Sequence, residues 1–270
     1  LSTLSQSFVA SVARARNTAG VPCVLWGHCL LGLHGVPSII GSVDFVIPDH
    51  SLSASTQALS SCPGLVPCPD PLSCFATSKE RHTQLPAHHA HLDDDLEITA
   101  GLYFQSDTLW FLPQLDHTLL LPNRNSDADA ADLLPSNLAL ASDRQVFPPW
   151  RPGRGAGVFE SDGDAVIALK SHTLLEAYMR LYARDQGKRV GSFGIAMIAY
   201  MQLYVDADGF LDADLLPEPL RTSYAELQRG GKPIRLWMLE LKDALGVGGE
   251  DTESDDEART PWELRGVSLR

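Results

Sequence analysis

The chain has 270 residues, 44% of them hydrophobic and 20% charged, and a mean hydropathy of −0.06. That is room for one large domain or two modest ones, with the composition of a globular protein rather than a disordered, collagenous or coiled-coil one. The 21 Lys and Arg against 34 Asp and Glu leave a net charge of −13, which argues against broad, sequence-independent binding to nucleic acid or to an anionic membrane.

Leu4, Phe8, Val12 and Ala15 recur on one side of a helix predicted over residues 4–18, ended by Asn17 and Gly20. Pro22 to Trp26 (PCVLW) has the branched and aromatic content of a buried strand; Gly27 turns the chain, and Cys29 to His34 fit a compact helix. Gly35-Val36-Pro37 breaks that helix, and Ser42 to Ile47 (SVDFVI) reads as a strand closed by Pro48 and Asp49. Ser51 to Leu59 fits a third helix capped by Asp49 or Ser51. After a turn-rich stretch from Pro63 to Pro71, a short strand is predicted within Pro71 to Thr77 (PLSCFAT). A histidine-containing segment over 82–91 then leads to two neighbouring strands, Asp95 to Tyr103 and Thr108 to Leu112, joined by a turn at Ser106-Asp107.

Residues 122–158 are rich in Asn, Asp, Pro and Gly, and the run from Pro148 to Gly155 can continue neither kind of regular element. Beyond it, Val166, Leu169, Leu174, Ala177, Tyr178 and Leu181 recur at helical spacing, with Glu176 and Arg180 paired at i,i+4 on another face. Further helices are predicted from Phe193 to Tyr204 and from Ile234 to Leu245. Six of the eight residues from Glu250 to Glu257 are acidic, a run that cannot bury itself. The expected organisation is an α/β domain over 1–121, an irregular connection over 122–158, a helical region over 159–246 packed on the first domain, and an acidic solvated tail over 247–270. The fold class is α/β (α+β), a mixed sheet flanked by helices followed by a mainly helical C-terminal region.

No stretch reaches the ~18 continuous apolar residues of a membrane span. The opening LSTLSQSFVASVARARN lacks the basic and then apolar pattern of a secretory leader, so a cytoplasmic protein is expected. The five cysteines Cys23, Cys29, Cys62, Cys68 and Cys74 contain no CxxC pair and read as mostly reduced. A Cys62–Cys74 or Cys68–Cys74 disulfide stays open, while a four-thiolate zinc site lacks the paired short spacings it needs.

Chemical character concentrates between Leu25 and Pro48, LWGHCLLGLHGVPSIIGSVDFVIP, where a strand turns through glycine into a short helix and returns to a strand bearing a carboxylate. Such a turn lets the backbone approach a phosphate, and the helix start presents unpaired N–H groups to it. A carboxylate on the adjoining strand can hold Mg²⁺ against the phosphates. Neither GxxxxGK[ST] nor GxGxxG is present.

GHCLLGLHGVPSIIGSVDFVIP resembles the opening motif of the nucleotidyltransferase-fold superfamily, especially its small and toxin-related branches, whose pattern is GGxAxxxxGxxRxTxDxDxxV. Gly27 matches the first glycine, Gly35 the one that ends the short helix, Ser42 the first metal aspartate and Asp44 the second. The resemblance implies that two strand carboxylates and a third on a later strand bind Mg²⁺, while a hydroxyl attacks the α-phosphate of a nucleoside triphosphate. This chain departs from the pattern at His28, Ser38, Ile40 and Ser42. Ser42, Asp44 and Val46 share one face of the strand, so either register leaves a single carboxylate where a two-metal clamp needs two. The resemblance thus implies a catalytically degenerate protein that retains nucleotide or phosphate binding, or only the fold, and works through a protein partner. The alternative is an active Mg²⁺-dependent enzyme that transfers a nucleoside monophosphate to a hydroxyl of a protein, RNA or small molecule.

Asp95 and Glu97 are the acids that can complete the metal site with Asp44, and a catalytic pair would be Asp44 and Asp95. The alternative for HLDDDLE is a set of solvated loop and edge-strand charges. Gly27, His28, Ser42 and Lys170 are the candidate phosphate or nucleotide contacts, with Lys170 placed inside the long helix. His88, His89 and His91 beside Asp93 invite a transition-metal site. Without HExxH or a Cys/His repeat, a polar loop before a strand accounts for them better. Asp206, Asp208, Asp212 and Asp214 match a calcium loop only superficially and read as caps, and Arg151 and Arg154 read as anion contacts or as part of a surface excursion.

Overall fold

The computed structural model describes residues 4–78, 80–120, 134–160, 164–185 and 191–247. The chain begins with helix α1 (Gln6–Thr18), whose N-cap Ser5 accepts from the Phe8 N–H and whose buried face carries Val9, Ala10, Val12 and Ala13. Then follow β1 (Val24–Trp26), α2 (Gly27–Leu33), β2 (Ser42–Ile47) and α3 (Leu52–Ser60). The helix over 51–59 is thus present, but neither Asp49 nor Ser51 caps it through its side chain; Asp49 accepts from the Ser106 N–H instead, at 3.2 Å.

Three further strands complete the main sheet: β3 (Leu65–Pro67), β4 (His88–Leu92) and β5 (Thr99–Phe104). The order is β1-β2-β5-β4-β3, with β2 and β5 parallel and every other neighbour antiparallel. The parallel pair needs a crossover, and α3 together with the β3–β4 excursion supplies it. Helix α2 packs on β1 and β2, whereas α3 packs on α1, β3 and β4; β2 itself is buried from Val43 to Ile47.

Several expected boundaries move. Residues 71–77 form a turn and a 3₁₀ segment rather than a strand, while His88 to Leu92, read from sequence as a polar loop, are a central strand. Gln105–Thr108 form a helical turn, α4, so the expected hairpin with 108–112 does not form and β5 pairs with β4 instead. Ala100 and Leu102 are apolar enough to prefer that interior position.

In the second half, β6 (Leu138–Leu140) and β7 (Ile167–Leu169) pair antiparallel as a small sheet beside β1. Helix α5 (Ser171–Arg184) follows, starting later than the spacing of Val166 and Leu169 predicts because Leu169 belongs to β7 and Val166 is the residue before it. Helix α6 (Gly191–Tyr200) runs into a π-helical stretch, Met201–Asp206, and α7 (Leu220–Arg229) and α8 (Ile234–Ala244) end the described chain. The acidic tail predicted over 247–270 lies outside the described residues except for Val247.

One hydrophobic core runs through both halves. Trp26 of β1 meets Tyr178 of α5 with ring centroids 5.7 Å apart, and His34 Nε2 donates to the Leu169 carbonyl at 2.9 Å. The Gly/Pro excursion is docked: Gly155 N donates to Gly35 O and Gly157 N to Gly32 O, at 2.9 and 3.0 Å. Arg151 and Arg154 both donate to Asp208, so the anion they contact belongs to this chain. No helix among the described residues is long and apolar enough to cross a membrane.

Candidate functional site

The first candidate is a cleft of about 260 Å³ at the end of β1 and β2, lined by Gly27, His28, Ser42, Asp44, Arg81, Thr83, Gln84, Glu97, Thr99 and Tyr103. Asp44 lies at its base, buried to 5% exposure, and its Oδ2 accepts from Ser42 Oγ at 2.6 Å. Two glycines make the space. A Cβ on Gly27 would stand 2.6 Å from Asp44 Oδ2, and one on Gly101, across the parallel register from Asp44, would stand 2.5 Å from Oδ1. Gly27 also has φ of +67°, which a side chain would strain.

Burial pushes the Asp44 carboxyl up to about 6, against the opposing pull of the Ser42 hydroxyl, the Arg81 charge and the Gly101 backbone. Burial, and then Arg81, holds His28 below the ordinary imidazole range, and its Nδ1 meets Ser38 Oγ at 2.5 Å. Tyr103 is pushed up by burial and by Asp44. Ile39 and Phe75 bring exposed apolar surface to the mouth of the same cleft.

Gly27, His28, Ser42 and Asp44 therefore come together, and Glu97 joins them as an exposed residue of the cleft wall. Asp95 does not line it. The strand begins only at Thr99, so Asp95 and Glu97 lie in the β4–β5 turn, where Asp95 Oδ1 accepts from the Glu97 N–H at 3.0 Å. Lys170 stands apart as the N-cap residue of α5 rather than inside it, in a separate depression with His172 and Asp212. The acidic run in 206–214 is engaged locally: Asp206 accepts from Tyr224, Asp208 from the two arginines, and Asp212 from the Asp214 N–H.

A second constellation lies on β4 and the segment before it. Cys68, Cys74, His89 and His91 bring one ligand atom each to within 4.8 Å of all the others. Cys74 Sγ is 3.3 Å from His89 Nε2 and 3.5 Å from His91 Nε2. His89 and His91 alternate onto one face of β4, and extending the β3–β4 register by one residue sets Cys68 across from His89. Cys74 is the residue before the Phe75–Thr77 turn, and its Sγ accepts from the Ala76 N–H at 3.3 Å. All five cysteines are free, so neither disulfide left open by the sequence is formed.

The group does not stand out in the sequence because the four residues sit in two separated pairs, Cys68/Cys74 and His89/His91, of unlike type. The HxH alternation was the available signal, and it counts for a metal only once residues 88–92 are known to be a strand. No family model, no curated protein and no solved structure matches this chain.

Proposed function

We propose that this chain is a nucleotidyltransferase-like protein that does not catalyse transfer and uses the Asp44 cleft to bind a phosphate-bearing ligand such as a nucleotide. The strand order supports the reading. β1 and β2 are antiparallel, β2 and β5 parallel, and the glycine-led helix α2 sits between the first two with Gly27 against Asp44. The observation that carries the loss of catalysis is Gly101. The later strand that should contribute a third acid presents glycine opposite Asp44, in a space with no room even for a Cβ. With Ser42 at the first aspartate position, one buried carboxyl faces a task that needs two or three.

The remaining groups suit an anion. Arg81 supplies the charge, His28 and Thr83 offer polar atoms, and Phe75 at the mouth offers a ring face to a base. At about 260 Å³ the cleft lies below the range of ~300–1,000 Å³ usual for complete small-molecule sites. It therefore takes the phosphate or ribose portion, and the rest of the ligand lies across its mouth. In calorimetric titration with each of the four nucleoside triphosphates, the expected result is binding that Mg²⁺ does not strengthen and that Arg81→Ala weakens. Failure of all four to bind at millimolar concentration removes the nucleotide from the proposal. Incorporation of α-labelled nucleotide that requires both Mg²⁺ and Asp44 overturns the loss of catalysis and restores the transferase alternative, with Glu97 as the second acid.

A further inference from the structure

We infer that Cys68, Cys74, His89 and His91 bind a single Zn²⁺ ion that staples the β3–β4 connection to the sheet. A tetrahedral site with Zn–S near 2.3 Å and Zn–N near 2.0–2.1 Å has ligand-to-ligand edges of roughly 3.3–3.8 Å. The two Cys74 separations of 3.3 and 3.5 Å already fall in that range, and all four atoms lie within 4.8 Å of each other. Closing the remaining edges takes side-chain rotation, not movement of the strand.

The surroundings prepare the donors. His91 Nδ1 donates to the Leu96 carbonyl at 2.6 Å, which fixes its tautomer and leaves the Nε2 lone pair facing the cluster. Each thiol is hydrogen-bonded by backbone two residues further on, Cys68 by Asp70 and Cys74 by Ala76, which holds the two sulfurs in place beside the imidazoles. Two thiolates and two neutral imidazoles cancel the charge of a divalent ion, so the complex is neutral, which suits a site whose histidines are buried and whose cysteines are half-buried. Binding releases the two thiol protons to solvent and changes no oxidation state. Two sulfurs and two nitrogens in tetrahedral array favour zinc over the oxygen-seeking Mg²⁺ or Ca²⁺, and four protein ligands leave no open position for substrate.

The placement gives the ion a structural role that does not depend on what the Asp44 cleft binds. Pairing runs from Asp44 to Gly101 on β5 and from Gly101 to His89 on β4, so cluster and cleft share one face of the sheet, two strand spacings or roughly 10 Å apart. The described residues between 68 and 87 leave the sheet at the cluster, pass over this face and return to it. On the way they contribute Phe75, Arg81, Thr83 and Gln84 to the wall of the cleft. Within that long connection the described regular structure is one 3₁₀ turn, Phe75–Thr77. Cys68 and Cys74 tie its start to the two histidines at its end.

The test is metal analysis of the full-length chain, purified without chelator or polyhistidine tag under mildly reducing conditions. The expected content is about one zinc per chain, with release of about two protons when the apoprotein is reloaded. Reloading with Co²⁺ should give the visible ligand-field bands and the near-ultraviolet thiolate band of a tetrahedral S₂N₂ site. Both measurements use the unaltered protein, so a variant that fails to fold cannot obscure them. His89→Ala and Cys74→Ser should lose the metal, whereas His88→Ala, on the opposite face of the same strand, should keep it. Negligible zinc in a folded chain, a different ion, or a Cys68–Cys74 disulfide in the freshly purified protein would each overturn the assignment, as would retention of zinc in His89→Ala.

Discussion

The two candidate sites lie two strand spacings apart on the same sheet face, and they are built in opposite ways. At Asp44 the chain has removed atoms: glycines at 27 and 101 and a serine at 42 leave room around one carboxyl and bring no second one. At β4 it has gathered atoms, with four metal-seeking side chains converging from β4 and from the segment that follows β3. The first site carries the residues that a sequence motif makes conspicuous, with one buried carboxyl among them. The second is complete as a ligand set and is nearly invisible as a motif. Resemblance and chemical sufficiency are separate properties, and in this protein they fall on two strands, β2 and β4, with β5 between them.

Removing the metal should break the comparison most forcefully. A ligand held at roughly 1,000 times its dissociation constant stabilises the folded state by about 4 kcal/mol. For a domain of this size that corresponds to a fall in melting temperature of about 8–16 °C when a chelator is added, read by thermal denaturation. The cleft should respond too: trypsin should cut after Arg81 faster in the apoprotein, because the connection that carries it has lost its anchor. A chelator that leaves both the melting temperature and the Arg81 cleavage unchanged would mean that the β3–β4 connection is held by its own packing.

Asp44 should behave in the opposite sense, as a group whose charge the fold tolerates at a cost. Its carboxyl is raised from 3.8 to about 6 by burial, so between those values the folded state binds more protons than the unfolded one. Stability therefore falls as pH rises through that window, and above about pH 6 the full penalty applies, as much as about 3 kcal/mol. Asp44→Asn should raise the melting temperature at pH 7.5, leave it nearly unchanged at pH 4 and, by taking a negative charge from the base of the cleft, strengthen rather than weaken binding of an anion. A variant that is destabilised at pH 7.5 would show that the carboxylate is a structural hydrogen-bond acceptor.

How much of this was legible in the chain follows the range of the interactions. SVDFVI is a strand with the boundaries that its content and its closing proline give, and the compact helix expected over Cys29 to His34 is present as α2, starting two residues earlier at Gly27. These features are local. The pairing of β4 with both β3 and β5 is not, and reading HHAHL as a loop followed from its polarity. In the fold the His89 and His91 imidazoles are covered and turned toward two thiols, an environment that propensity over a short window cannot register. Asp95 and Glu97 were placed on a strand because the segment leads into one; the Asp95 side chain instead holds the turn that precedes it.

Gly101→Ala sharpens the cleft side of the comparison. The added methyl would meet Asp44 Oδ1 at 2.5 Å and the Tyr103 ring at 3.1 Å, in a strand buried on both sides. Overpacking of this kind costs about 1–3 kcal/mol, and part of it should be relieved when Asp44 is shortened. The double variant Gly101→Ala/Asp44→Ala should therefore be less destabilised than the two single changes add up to, a coupling that chemical denaturation can measure.

The smallest effect belongs to Asp95→Ala, which removes one exposed turn hydrogen bond, worth about 0.5–1.5 kcal/mol at most. Its value lies in what it should leave alone. Asp95 does not line the cleft, so ligand binding should be unaltered, whereas Glu97→Gln changes a wall residue and should alter binding of an anion by relieving repulsion. The two acids are two positions apart in one turn, and only their relation to β5 separates them. If Asp95→Ala weakened binding as much as Arg81→Ala does, the β4–β5 turn would have to close over the cleft when ligand enters. The carboxylates of that turn would then belong to the site after all, and the claim that one buried acid stands alone would have to be withdrawn.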